Sequence, residues 1–259
     1  MSIKVCSFNI RYDTQEDGIN AFDSRKSLIL DRFVACGADL VGFQEVLPHV
    51  RVWLEENLKM YSFAGCGRHK DLTGENALIG YRTDKFILVH LDTFWLSDTP
   101  HVPGSRFTTD QSNHPRICTS VVLQERDSGK LVRMYNTHLD HLGEMAKVQG
   151  MTQILTKINQ DDSRWPDVPV ILTGDLNATP DSAVYGQIKG FVSNGSVLKD
   201  LSETVGGTFH GYRPQSVLEK IDYIFTNCPA DVSQSCCLKD EENGVYLSDH
   251  YPVVAHIEL

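Results

Sequence analysis

Short apolar runs recur along the whole chain, and six of them close on a polar cluster. They are SFNIR with Asn9, VGFQEV with Glu45, YNTHLDH with His138, ILTGDLNATP with Asp175 and Asn177, KIDYIF with Asp222, and YLSDHYPV with Asp249 and His250. Short runs rich in Val, Ile and aromatic residues, bounded by turn formers, are strand signals. A chain with so many of them must build sheets and then cover the sheet faces, which leaves few architectures open.

Ile3–Asn9 reads as a buried strand, and Ser24–Cys36 as an amphipathic helix with Leu28, Ile29, Phe33 and Val34 on one side and Gly37 as its stop. Leu40–Gln44 is a short strand ending at Glu45. Pro48 then opens a helix to Leu58, because its missing N–H costs nothing in a first turn. Strands are expected at Tyr61–Ala64, Ala77–Arg82, Phe86–Trp95, Ile117–Gln124, Leu131–His138 and Val168–Thr173, then near Thr208–His210, Ile221–Thr226, Asp231–Cys236 and Val253–Ile257. Gly143–Asn159 reads as a second long helix, striped by Val148, Met151, Ile154, Leu155 and Ile158, and a short one begins near Asp181. No linker or composition break interrupts this order, so one domain over residues 1–259 is expected. Many strands with few helices predict an α/β chain of two sheets packed face to face, helices outside. Ser97–Pro115 stands apart as a long loop with no apolar period; such loops either bind or simply run over the surface.

Hydrophobic residues make up 41% and charged residues 22%, which permits a large core. The net charge of −10, with no Lys/Arg run, disfavours a duplex nucleic acid as partner. No stretch approaches the ~20 apolar residues needed to span a bilayer, and no basic amphipathic helix suggests stable membrane association. MSIKVCSFNI enters a core strand directly, and the seven scattered cysteines contain no C-x-x-C pair, so a cytoplasmic protein with free thiols is expected.

The polar clusters carry a coherent chemistry. Glu45 and Asn9, each at a strand end, make a hard, weakly charged oxygen set that suits Mg²⁺, which keeps several waters and completes its shell with substrate phosphate. Asp175 can orient and deprotonate a water, and Asn177, two residues on and on the same side if extended, can donate to developing phosphoryl charge. Taken alone, GDLN and NATP are also ordinary turn formers. Asp222 inside an apolar run needs a partner, and His250 is the natural one; a carboxylate-held imidazole stays cationic against phosphate. His138 would act likewise from another strand, with Glu75 as its orienter.

Taken together, in this order, these motifs resemble the endonuclease/exonuclease/phosphatase family of metal-dependent phosphoesterases, from Phe8-Asn9 to Asp249-His250-Tyr251-Pro252-Val253. The resemblance implies a four-layer α/β/β/α sandwich of two mostly antiparallel sheets, as in pancreatic deoxyribonuclease, and hydrolysis by in-line attack of water. It implies that Asn9 and Glu45 hold the principal Mg²⁺ (with Mn²⁺ as a substitute) and that Asp249 assists. Asp175 would orient the water, Asn177 bind phosphoryl oxygen, Asp222 orient His250, His138 contact the phosphate with support from Glu75, and Arg116 add a phosphate contact. SFNIRYDTQEDGIN, DTFWLSDTPHVPGS and GDLNATP look most like a compact bacterial branch. RFTTDQSNHPR departs from that branch in the loop that shapes substrate choice. Arg11 stands where abasic-site endonucleases place an acid, which weakens a repair assignment.

Two other classes compete. Asn136-Thr-His138-Leu-Asp140-His141 is one residue from the H-x-H-x-D-H cluster of binuclear zinc hydrolases, but zinc favours His and Cys, and this set is chiefly oxygen and amide. A non-catalytic binding module would have lost at least one of Glu45, Asp175, Asp222 or His250, and none is missing. Among phosphoesterases, nucleic acid, lipid or inositol phosphate and small phosphate esters stay open; acidity and the lack of a membrane helix favour a small or single-stranded phosphodiester. Phe94-Trp95 is either core or a platform for a base or sugar.

Overall fold

The computed structural model describes residues 2–214 and 218–259. The first sheet contains β1 (Ser2–Asn9), β2 (Leu40–Val46), β3 (Tyr61–Ala64) and β4 (Asn76–Arg82). The second contains β5 (Phe86–Trp95), β6 (Ile117–Glu125), β7 (Leu131–His138) and β8 (Val170–Asp175). A small hairpin, β9 (Val192–Ser193) and β10 (Ser196–Val197), precedes β11 (Lys199–Asp200) and β12 (Asp222–Thr226), which extend the second sheet. β13 (Cys236–Cys237) and β16 (Val253–Glu258) complete the first, with the hairpin of β14 (Glu241–Glu242) and β15 (Val245–Tyr246) between them. The strand orders are β13-β16-β1-β2-β4-β3 and β11-β12-β8-β7-β6-β5. Among the described strands, β1–β2 and β7–β8 are the parallel pairs.

Side-chain alternation along each strand builds three apolar layers. Ile3, Val5, Leu40 and Ile79 of one sheet meet Val121, Val132, Met134 and Ile224 of the other. Phe8, Phe43 and Leu78 face outward under α1 (Phe22–Cys36) and α2 (Pro48–Asn57). Tyr135, Leu172 and Phe225 lie under Met151, Ile154 and Ile158 of α3 (Glu144–Arg164) and Val184 and Ile188 of α4 (Ala183–Ile188). The chain is therefore the expected sandwich, helices on both outer faces.

Gly37 ends α1 at φ 63, the left-handed turn that glycine adopts without strain. Val34 departs from the expected apolar stripe: Ile29 and Phe33 take the inward positions, and Val34, one step past them, is 59% exposed. Thr208–His210 is not a strand but single bridges from Phe209 to Glu219 and to His250. The segment expected as a strand at Asp231–Cys236 instead begins with a 3-10 turn, Val232–Gln234, capped by Asp231. β8 begins two residues later than expected, after Pro169, and runs on through Asp175.

A polar strut ties the sheets together. Asn136 Nδ2 donates to the Phe43 and Leu78 carbonyls, and its Oδ1 accepts from Gln44 Nε2 at 2.7 Å and Thr173 Oγ1 at 3.0 Å. Asn136 is thus a buried inter-sheet bolt, not the first member of a metal cluster. Gly42 makes room for it, since a Cβ there would sit 2.1 Å from Thr173 Oγ1 and 2.5 Å from Asn136 Oδ1. Gly42→Ala is expected to cost about 3 kcal/mol by overpacking and by breaking this network. Urea unfolding checks this, and a loss under about 1 kcal/mol would show the strut yields freely.

Candidate active site

Strand direction alone brings the polar clusters together. Because β1 and β2 are parallel, Asn9 and Glu45 leave the first sheet at the same edge. Because β7 and β8 are parallel and β12 is antiparallel to β8, His138, Asp175 and Asp222 fall in one row across three strands. β16 runs against β1 with Val253 opposite Ser7, so Asp249 and His250 arrive at that same edge.

The side chains then converge. Asn9 Nδ2 donates to Glu45 Oε1 at 3.0 Å and to Asp175 Oδ2 at 2.9 Å. His250 Nδ1 lies 2.8 Å from Asp222 Oδ2, and its Nε2 lies 3.7 Å from Asp175 Oδ2 and 3.9 Å from Asp249 Oδ1. His138 Nε2 is 3.5 Å from Asp175 Oδ2. A cavity of about 580 Å³ opens over Glu45, His138, Asp175, Asn177, Asp249 and His250. Glu45 reaches it through a left-handed backbone, φ 64, at a register shift between Phe43 and Val46. That conformation costs a non-glycine residue energy and turns the carboxylate out of the ladder, a pattern typical of working sites.

Burial and the neighbouring Asp222 push the Asp175 carboxyl up to about 7, against the pull of His250. Burial opposes a charged His250, but Asp222, Asp175 and Asp249 outweigh it and raise its pKa well above the usual imidazole value. His138 moves the other way: burial, then Arg116 and Arg68, hold it well below, as a neutral ring. The two histidines thus occupy opposite charge states in one cavity.

Several expected roles meet a different geometry. Glu75 does not support His138; it forms a fork with Arg68 at 2.7 and 2.8 Å, since a guanidinium offers two charged donors where an imidazole offers one. His138 Nδ1 is left without a partner. Asn177 is not extended but left-handed, φ 47; its backbone N donates to Asp175 Oδ1 and its Nδ2 to the Leu139 carbonyl. Asn9 Oδ1 accepts from Arg11 N, so its NH₂ faces the carboxylates; rotating the amide presents the oxygen that a cation needs. Asp249 Oδ2 lies 3.7 Å from Arg11 Nε. Arg116 is buried with Nη2 on His141 Nδ1 and lines the cavity. Phe94 and Trp95 are core, Trp95 donating to the Arg68 carbonyl, so neither is a stacking platform.

The sequence reading missed Arg68 altogether, because the Gly67–Asn76 bridge that folds it onto Glu75 has no local motif. It also missed Arg25, a fully buried guanidinium donating to the carbonyls of Asn20, Ile10, Leu247 and Arg11. Those bonds clamp the exit of β1 to the segment that leads into Asp249. The loop over 97–115 runs over the surface, with Val102 and Thr108 exposed, but is pinned to the body: Asp110 accepts from Met145 N and Ala146 N at the start of α3, and Ser112 binds Asp140.

The donors fit a hard divalent cation. Carboxylate and imidazole atoms of Glu45, His138 and Asp175 lie within 4.8 Å of one another. Among the described residues, buried Glu45 accepts hydrogen bonds from neutral groups, Tyr12 N and Asn9 Nδ2, while the guanidinium charges of Arg11 and Arg68 act on it without a direct bond. A buried carboxylate so placed calls for positive charge.

A fold of two facing sheets with this cluster at one edge defines a class of hydrolytic enzymes, and comparison with known proteins agrees. The endonuclease/exonuclease/phosphatase family model matches residues 6–250, and the chain belongs to that family, whose members are hydrolases of phosphoester bonds. An endonuclease/exonuclease/phosphatase of Bacteroides vulgatus superposes with a TM-score of 0.88 at 33% identity, covering 100% of this chain and 99% of that one. A mannosyl-6-phosphatase of Bacteroides thetaiotaomicron gives 0.84 at 28% identity, covering 99% and 100%. The 2',5'-phosphodiesterase 12 of Bos taurus is 29% identical over 196 residues, 69% of this chain, and the match spans only 31% of that longer protein. No helix among the described residues is long and apolar enough to cross a membrane.

Proposed function

We propose that this protein is a magnesium-dependent phosphoesterase, acting as one catalytic domain on a small or single-stranded phosphate ester. The observation that carries this reading is the meeting of Glu45, His138, Asp175 and His250, drawn from both sheets, in one cavity, with Asn9 and Asp222 bonded to them from behind. Glu45 and Asn9 would hold Mg²⁺ (or Mn²⁺), with Asp249 beside them. Bound there, the cation supplies charge stabilisation for a phosphoryl oxygen.

The remaining roles belong to this chain's own atoms. Asp175, with a carboxyl at about 7, takes the proton of the attacking water at neutral pH. His250, kept cationic by Asp222, faces the phosphoryl oxygens. Neutral His138 and the free amide hydrogen of Asn177 donate to them. A cavity of this size suits a small ester, and the similarity to the mannosyl-6-phosphatase supports that. The net charge of −10 argues against a duplex. Seven free cysteines favour a reducing, cytoplasmic setting.

The test is a panel of aryl phosphate esters, single- and double-stranded DNA, RNA and phosphoinositides, each with a chelator control. Turnover abolished by chelation and restored by Mg²⁺ supports the proposal; restoration by Zn²⁺ alone returns the binuclear zinc reading. Glu45→Gln keeps the size and removes the charge, and is expected to raise the Mg²⁺ concentration for half-maximal activity by about 30-fold. An unchanged metal titration would remove Glu45 from the metal site.

A further inference from the structure

We propose that Arg116, with Arg68 behind it, makes this site selective for a terminal phosphomonoester over a phosphodiester. This rests on the phosphoesterase reading above and replaces the diester preference suggested by the sequence. Arg116 is 5% exposed, and although its Nη2 meets His141 at 3.0 Å, its Nε and Nη1 have no hydrogen-bond partner. Its carboxylate neighbour, Asp140, sits 3.6 Å away and is already engaged by Ser112, Leu142 N and Gly143 N. Arg68 spends both terminal nitrogens on Glu75 and likewise leaves a buried Nε unpartnered. Buried cationic N–H groups without a hydrogen-bond acceptor are costly, and both arginines line the wall shared with Glu45 and His138.

The chemistry of the two ester classes decides what satisfies them. A diester phosphate has two non-bridging oxygens and one negative charge, and the metal ligands, His250, His138 and Asn177 can serve both oxygens. A monoester at neutral pH has a third non-bridging oxygen and nearly a second charge. Guanidinium N–H groups are the matching donors for that oxygen. In a diester the same position carries a second ester group, which brings no acceptor of equal charge to Arg116 and needs room in its wall. The reaction is then monoester plus water: the water oxygen bonds phosphorus, the bond to the alcohol oxygen breaks, and the alcohol leaves with a proton from the water, giving inorganic phosphate.

The test compares 4-nitrophenyl phosphate with bis(4-nitrophenyl) phosphate in Mg²⁺, for the whole chain and for Arg116→Met. Wild type is expected to favour the monoester in kcat/KM by at least about tenfold. Arg116→Met should lose about 30-fold on the monoester and under about threefold on the diester. Calorimetry with inorganic phosphate and with dimethyl phosphate gives a second reading: the variant should weaken only the first, again by about 30-fold. Arg116→Lys, which keeps the charge without the fork, should fall between, and it serves the same measurements if the methionine variant does not fold. Equal losses on both esters, or a wild-type preference for the diester, overturn the proposal while leaving the phosphoesterase intact. Failure of wild type to cleave either probe or to bind phosphate in Mg²⁺ overturns it together with the reading it rests on.

Discussion

Asp175→Asn is expected to lower kcat by about a thousandfold while leaving KM within a few-fold. The asparagine keeps the shape of a side chain that is 1% exposed and receives hydrogen bonds from Asn9 Nδ2 and Asn177 N. It cannot accept a proton. Because burial and Asp222 already hold the carboxyl near 7, removing it relieves a like-charge contact, which offsets the acceptor lost where the amide NH₂ meets Asn9 or Asn177, so stability should stay close to that of wild type. Thermal unfolding beside steady-state kinetics separates the two effects. A variant with near-normal kcat would assign the proton transfer elsewhere.

Asp222→Asn is the second large effect, about a hundredfold or more in kcat. Asp222 is the strongest charge support of His250, 2.8 Å from Nδ1, and it fixes which ring nitrogen faces the cavity. Activity that needs imidazolium persists below the histidine pKa and disappears as pH rises through it. With the pKa raised in wild type, that loss falls well above the usual imidazole range; without Asp222 it should move to lower pH. The kcat–pH profile reads the displacement directly. An unshifted alkaline limb, even with reduced kcat, would mean that Asp222 acts only by holding the fold.

Much of the arrangement was visible in the chain. Apolar runs located β1, β2 and β5–β8 to within a residue or two, since strands buried on both faces leave a continuous hydrophobic trace and the edge strand β5 still carries Ile, Leu, Val and aromatic residues throughout. Gly37 and Pro48 marked helix boundaries because glycine takes the left-handed turn past a helix end without strain and proline loses no hydrogen bond in a first turn. Glu75 and Asn177 show the limit. Both residues line the cavity, yet the partner of Glu75 is Arg68 rather than His138, and Asn177 reaches its place through a left-handed turn rather than an extended strand. Such pairings depend on which loop folds over which strand end, and residue type carries no record of that.

The sequence by itself determined the two-sheet sandwich, the family, and the residue types available for binding a cation and moving a proton. Hydrophobic period and turn chemistry are local, so they can be read locally. Only the tertiary structure decided the charge state of each group, because pKa follows from burial and neighbours contributed by distant strands. It alone placed neutral His138 opposite cationic His250, turned Glu45 out of its ladder, and left Nε and Nη1 of Arg116 buried without a hydrogen-bond partner.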